Sequence, residues 1–185
     1  MFLLAALAVT SVCYAAPAPK KAKKGKKVTL TIDFSTKPFK EISSNYKKVI
    51  VTPEGGQVFT FVAPNEKEYP IEIINEKGGF FYGKIGDNVG LMVNYSVDRS
   101  LAAIKTPVIK GKTLKKVEFT LLNGPKKDVA VSSAPDAKGD QVRREEYEGN
   151  VEQSVTLANP EPEKPYYIVT RGRNTTFGSL TLIYE

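Results

Sequence analysis

From Val28 to the C-terminus, apolar and polar residues alternate. In VTLTIDF, Val28, Leu30, Ile32 and Phe34 fall on one side, and Thr29, Thr31 and Asp33 on the other. A strand with one buried face needs this pattern, because successive side chains point to opposite faces of a sheet. The pattern recurs at Ile71 and Ile73 around Glu72, and at Leu91, Val93 and Tyr95 against Met92 and Asn94. It recurs again at Val117, Phe119 and Leu121, at Val129 and Val131, at Val151, Val155 and Leu157, and at Leu180, Leu182 and Tyr184. VFTFV, residues 58–62, is apolar on both sides apart from Thr60, which predicts a central strand.

Turn chemistry separates these runs: Pro53-Glu54-Gly55-Gly56, Lys77-Gly78-Gly79, Gly86-Asp87-Asn88, Asn123-Gly124-Pro125, Lys138-Gly139-Asp140 and Gly172-Arg173-Asn174. Short strands at such spacing predict an all-β Greek-key or jelly-roll sandwich of about ten strands. Helical turns are expected at most over Pro38–Lys48, Arg99–Ile104 and Gln141–Glu148, where the apolar stripe is short. The expected domain runs 28–185, about 158 residues, enough for one core without staples.

The segment before Val28 differs. Met1 to Val9 form an uninterrupted apolar run, and Cys13 and Ala15 supply the small-x-small pattern of a signal-peptidase site. This predicts a signal peptide over 1–15, cut after Ala15. The run is too short to span a bilayer, which takes about 20 apolar residues. Val12 before Cys13 disfavours a lipobox. Residues 16–27, APAPKKAKKGKK, predict a disordered linker. Six lysines lie there; removing them from 27 basic residues leaves 21 against 20 acidic ones. The high isoelectric point belongs to this tail, and near-neutrality of the rest argues against nucleic acid. The tail reads as a solvated spacer, with electrostatic contact to an anionic envelope surface as the functional alternative.

Two stretches carry a resemblance. Ile104, Pro107, Gly111, Leu114 and Val117 fit I-x-x-P-x-x-x-G-x-x-L-x-x-V; Tyr166, Ile168, Leu180, Thr181, Leu182 and Tyr184 fit Y-x-I followed by L-T-L-x-Y. Over about 80 residues from Ile104 the chain resembles secreted jelly-roll domains of Gram-negative gut-type anaerobes, described as carbohydrate-binding-module-like. The resemblance implies a non-catalytic sugar-binding or accessory domain. The matched positions are core and turn positions, so they carry a fold and not a site.

The chain has no His and no Trp, and its one Cys lies in the leader. This excludes histidine-dependent nucleophile systems and leaves zinc sites of ordinary composition without ligands. Glu145, Glu146, Glu148 and Glu152 crowd together, but a polar stretch does not supply the burial that a glycosidase acid needs. Gly86-Asp87-Asn88 and Asp136–Asp140 offer oxygen ligands for a structural calcium, without ordered ligand spacing. No other cofactor is expected. A sugar site wants an aromatic face beside planar hydrogen-bonding groups. Candidates are Tyr82 between two glycine turns, Arg143, Arg144 and Tyr147 in one charged stretch, and Arg171, Arg173 and Asn174 at a hairpin tip. The leading expectation is an exported carbohydrate-binding-like module, periplasmic, surface-held or secreted. The alternatives are a cell-envelope assembly subunit, marked by an apolar patch or open sheet edge, and a small glycan hydrolase.

Overall fold

The computed structural model describes residues 26–34, 49–51, 57–63, 67–77, 79–85, 88–95, 100–122, 127–139, 143–147, 149 and 151–185. Among them the chain forms thirteen strands and no helix. They are β1 (Val28–Asp33), β2 (Val49–Val51), β3 (Gln57–Val62), β4 (Glu68–Asn75), β5 (Gly79–Ile85), β6 (Asn88–Tyr95), β7 (Ala102–Lys105), β8 (Leu114–Leu122), β9 (Lys127–Ser132), β10 (Arg143–Tyr147), β11 (Glu152–Thr156), β12 (Tyr167–Thr170) and β13 (Thr175–Tyr184).

One sheet, A, has the order β11-β8-β13-β6-β5-β2, with β1 also beside β13; the other, B, has the order β10-β9-β12-β7-β4-β3. Every pairing is antiparallel. The last eight strands nest as a rolled hairpin: β9 pairs β10, β8 pairs β11, β7 pairs β12 and β6 pairs β13, alternating between the sheets. This is the topology of a jelly roll, with two interlocked Greek keys. The earlier strands widen both sheets.

Most residues that the alternation marks face inward; Val151 is an exception, 49% exposed just before β11. Leu30, Ile32, Ile71, Ile73, Leu91, Val93, Val117, Phe119, Leu121, Val129, Val131, Val155, Leu180, Leu182 and Tyr184 all join one buried core. Three register shifts adjust the pattern among the described residues, two between β13 and β8 and one between β5 and β6. On β13 the register against β8 shifts between Phe177 and Ser179, so Phe177 and Leu180 both face inward across three residues. At the same point β13 changes its other neighbour, from β6 to β1. The backbones come close there: a Cβ on Gly90 would lie 2.6 Å from the Phe177 carbonyl oxygen.

The two motif stretches meet as one packing unit. The Tyr184 hydroxyl donates to the Pro107 carbonyl at 2.7 Å, and burial raises its pKa. Gly111 turns the chain at φ 70, which explains a glycine there. The Tyr166 main-chain N–H donates to Thr106 Oγ1 at 2.9 Å.

The described residues form thirteen strands against about ten expected, the surplus being short pieces such as β2 that carry too little alternation to be read. Three expectations need correction. β3 (VFTFV) is an edge strand, not a central one; Val58 is 56% and Val62 38% exposed. Ala102–Lys105 and Arg143–Tyr147 are strands, since ladder bonds to β4, β12 and β9 outweigh weak local helix signals. The carboxylates at 145–152 divide between sheets, Glu145 and Glu146 on β10 and Glu152 on β11. Pro38–Lys48 lies outside the described residues.

Candidate functional site

The outer face of a sandwich sheet usually faces water and is polar. Sheet B departs from this. Ala103, Val169 and Ala130 stand side by side on β7, β12 and β9, and each is 1% exposed. The segment after β9 covers them, with Ala137 packed against the row along with Ile74, Leu101 and Tyr167. That segment braces itself. Ser132 Oγ accepts from Ala134 N at 3.1 Å, Ala134 O accepts from Ala137 N at 3.2 Å, and Asp136 Oδ1 accepts from Lys138 N at 3.0 Å. Ala137 takes φ 59 to close the turn.

Between this loop and the end of the sheet lies a cleft of about 440 Å³. Its apolar lining is Ile74, Leu101 and Pro135; its charged lining is Glu76, Asp136, Lys138 and Arg171. Ile74 lies on β4, Glu76 just after it, Leu101 just before β7 and Arg171 just after β12. Glu76 is clasped to Leu101 twice: its N–H donates to the Leu101 carbonyl at 2.8 Å, and its Oε2 accepts from Leu101 N at 3.2 Å. Asp136 Oδ2 lies 3.6 Å from Lys138 Nζ. The exposed Arg171 guanidinium has no hydrogen bond or ion pair among the described residues, so its donors are available to a ligand.

Asn94 holds the two sides of the cleft together. It is fully buried at φ 53, and its Nδ2 donates to Ser100 O at 2.9 Å and to Thr170 O and Gly172 O at 3.4 Å each. Its own carbonyl accepts from Asn174 N at 3.1 Å. Ser100 precedes Leu101, and Thr170 and Gly172 flank Arg171, so one amide spans both walls.

The expected site residues separate. Arg171 lines the cleft. Arg173 is exposed, and its carbonyl accepts from Lys127 Nζ at 3.1 Å. Asn174 takes φ 50 in the same turn. Tyr82 is a correction: it faces the core at 1% exposure, on the same side of β5 as Phe80, so its ring cannot face a surface ligand. Arg143, Arg144 and Tyr147 lie on edge strand β10, opposite Val131, Ala130 and Lys127; their side chains lie outside the described residues. Of the calcium candidates, Asp136 is engaged by Lys138, while Gly86, Asp87 and Asp140 lie outside the described residues. Among the described residues no three His, Cys, Asp or Glu side chains gather as metal ligands.

Sequence reasoning missed Glu76, Leu101, Lys138 and Asn94. Lys138 belongs to a turn signal and Asn94 to the outward side of its strand, while nothing in the pattern singles out Glu76. The one available signal was Asn94 itself, a residue that tolerates positive φ.

A second concavity, about 250 Å³, lies toward β3 and includes Val58, Pro70, Val108 and the pair Glu72 and Lys105. Lys105 Nζ meets Glu72 Oε2 at 2.7 Å, and that hydrogen bond raises the lysine pKa.

No family model matches the chain, and no curated protein matches it. Among solved structures it is similar to the K2 cleaved adhesin domain of Lys-gingipain, at 12% identity over 85% of this chain and 98% of that one, with a TM-score of 0.33. Backbones this far apart transfer neither a site nor a ligand.

Proposed function

We propose that this chain is an exported, non-catalytic binding module that takes a carbohydrate-like ligand in the cleft beside Arg171. The observation that carries the reading is the cleft's composition: two carboxylates and two cations around an apolar floor. A pyranose offers C–H patches and a ring of hydroxyls, so it can use the floor, the acceptors and the donors together. The cleft volume falls in the range of small-molecule sites. The leader-like first fifteen residues support the export part of this reading, with the periplasm, the cell surface or the medium as the expected destination.

The non-catalytic reading rests on which groups are present. The chain has no histidine. General-acid hydrolysis needs a carboxyl held protonated by burial. Glu76 is exposed, and Asp136 lies beside the Lys138 ammonium. Neither carboxyl is buried. Binding of this kind needs no cofactor.

Glycan-array screening of the purified chain, followed by calorimetry on any hit, tests the proposal. Arg171→Ala and Glu76→Gln are each expected to weaken binding about ten- to a hundredfold, the usual range for a hydrogen bond to a charged group. Glu76→Gln keeps an oxygen for Leu101 N, so its folding is preserved. Absence of binding to any glycan removes this reading.

The β3 edge favours a second reading, an envelope assembly subunit. Val58, Val62 and Val108 are exposed beside Pro70, and no described strand pairs the far side of β3. Such an edge accepts a partner strand. On this reading, light scattering shows stable self-association, and Val58→Lys returns the protein to monomer. A monomer at every concentration, without a co-purifying envelope protein, sinks it.

A further inference from the structure

We infer that the opposite side of the molecule carries a docking surface for a membrane of anionic lipids. Four strand ends of sheet A converge there. Val28 and Leu114 both stand opposite Tyr184, Lys116 stands opposite both Ile183 and Thr156, and the Lys115 carbonyl accepts from Leu157 N at 2.9 Å. A shallow concavity of about 620 Å³ opens over this end, bordered by Lys27, Lys115 and Lys116 with Glu118 and Glu185.

Ion pairing divides these charges. Lys116 is taken by Glu118 at 2.6 Å. Lys112 donates to the Lys26 carbonyl, which ties the start of β1 to the turn before β8. Lys26, Lys27, Lys110 and Lys115 have no ion pair among the described residues. Glu185 borders the same concavity and Glu163 accepts from Gly111 N beside Lys110, so among the described residues this end sets six lysines against Glu118, Glu163 and Glu185, an excess of positive charge in a domain that is otherwise near neutral.

Every one of these cations is lysine. A lysine is a hydrated point charge on a flexible stem, without the planar fork that arginine uses to read one phosphate or carboxylate geometry. That chemistry suits diffuse attraction to a charged lipid surface better than geometric recognition of a polymer. The sheet B cleft lies on the opposite outer face and is free to bind while this end is docked.

Vesicle co-sedimentation of the leaderless chain tests the inference, with phosphatidylcholine vesicles with and without phosphatidylglycerol. Binding is expected only with phosphatidylglycerol and is expected to fall with added salt. The triple variant Lys27→Gln, Lys110→Gln, Lys115→Gln is expected to bind about tenfold or more weakly, while arginine at the same three positions keeps binding. Matching thermal melts for both triples show that the fold is intact. Equal binding to neutral vesicles, or a glutamine triple that binds as well as the parent, overturns the inference. So does retention on an acidic polysaccharide without binding to phosphatidylglycerol.

Discussion

Phe119→Ala is expected to lower the stability of the fold by about 3–5 kcal/mol, the cost of emptying a buried phenyl site. Phe119 is 1% exposed on β8, between β11 and β13, opposite Gln153 on one side and Leu180 on the other. Its ring meets Phe177 edge-on, with centroids 6.1 Å apart and planes at 70°. Phe177 sits at the β13 bulge, where that strand leaves β6 and takes up β1. A cavity at Phe119 therefore loosens the junction that joins the first strand to the jelly roll. Domains of this size carry about 5–15 kcal/mol in total, so the loss is a large fraction. Urea denaturation measures it. Phe119→Leu is expected to cost less, because it fills most of the volume. A double-mutant cycle between Phe119→Leu and Phe177→Leu is expected to show about 0.5–1.5 kcal/mol of coupling from the ring pair. A loss below about 1 kcal/mol for Phe119→Ala contradicts the packing described.

The inward faces were legible because alternation is local. Ile71 and Ile73 around Glu72, or Val117, Phe119 and Leu121 along β8, state their own direction once a strand is granted. The same rule reads Tyr82 correctly: it shares the parity of Phe80, and only the glycine turns on either side suggested exposure. Which strand lies beside which was less legible. The pairing of β1 with β13 joins residues at opposite ends of the chain, and no short pattern records it. The motif stretches anticipated the jelly roll because their residues do its packing: Tyr184 reaches Pro107, and Gly111 makes the turn. The cleft was nearly invisible. Ile74, Leu101, Asp136 and Arg171 come from four separate loops or strand ends; Arg171 and Asp136 belonged to stretches that stood out, but nothing in the sequence joined them. Its walls exist because the loop after β9 folds back over Ala103, Ala130 and Val169, and three small or branched apolar residues do not announce such a cover.

Asn94→Asp is expected to be strongly destabilising at neutral pH, costing about 3–5 kcal/mol, the range for an uncompensated buried charge. The amide nitrogen now faces the carbonyl oxygens of Ser100, Thr170 and Gly172, and its oxygen has no partner among the described residues. A carboxylate there sets negative charge against three carbonyls with no water to solvate it. A neutral carboxyl still donates one hydrogen bond, so the introduced group has a raised pKa in the folded state. The sign of the pH dependence follows. Below about pH 4 the group is protonated in both folded and unfolded chains, and the variant differs little from the parent. As pH rises from there the unfolded chain ionises first, and relative stability falls until the folded-state pKa is passed. Denaturation midpoints of parent and variant across pH measure this divergence. Asn94→Gly keeps the freedom to adopt φ 53 but loses the bonds, so its cost is expected to be about 1–3 kcal/mol and independent of pH. A variant Asn94→Asp as stable as the parent at neutral pH would contradict a buried clamp. If the clamp is right, Asn94→Gly also frees the Ser100 and Gly172 carbonyls from each other. Ligand affinity at the cleft is then expected to drop even where the fold survives, because Glu76 and Arg171 no longer stand on walls held at a fixed distance.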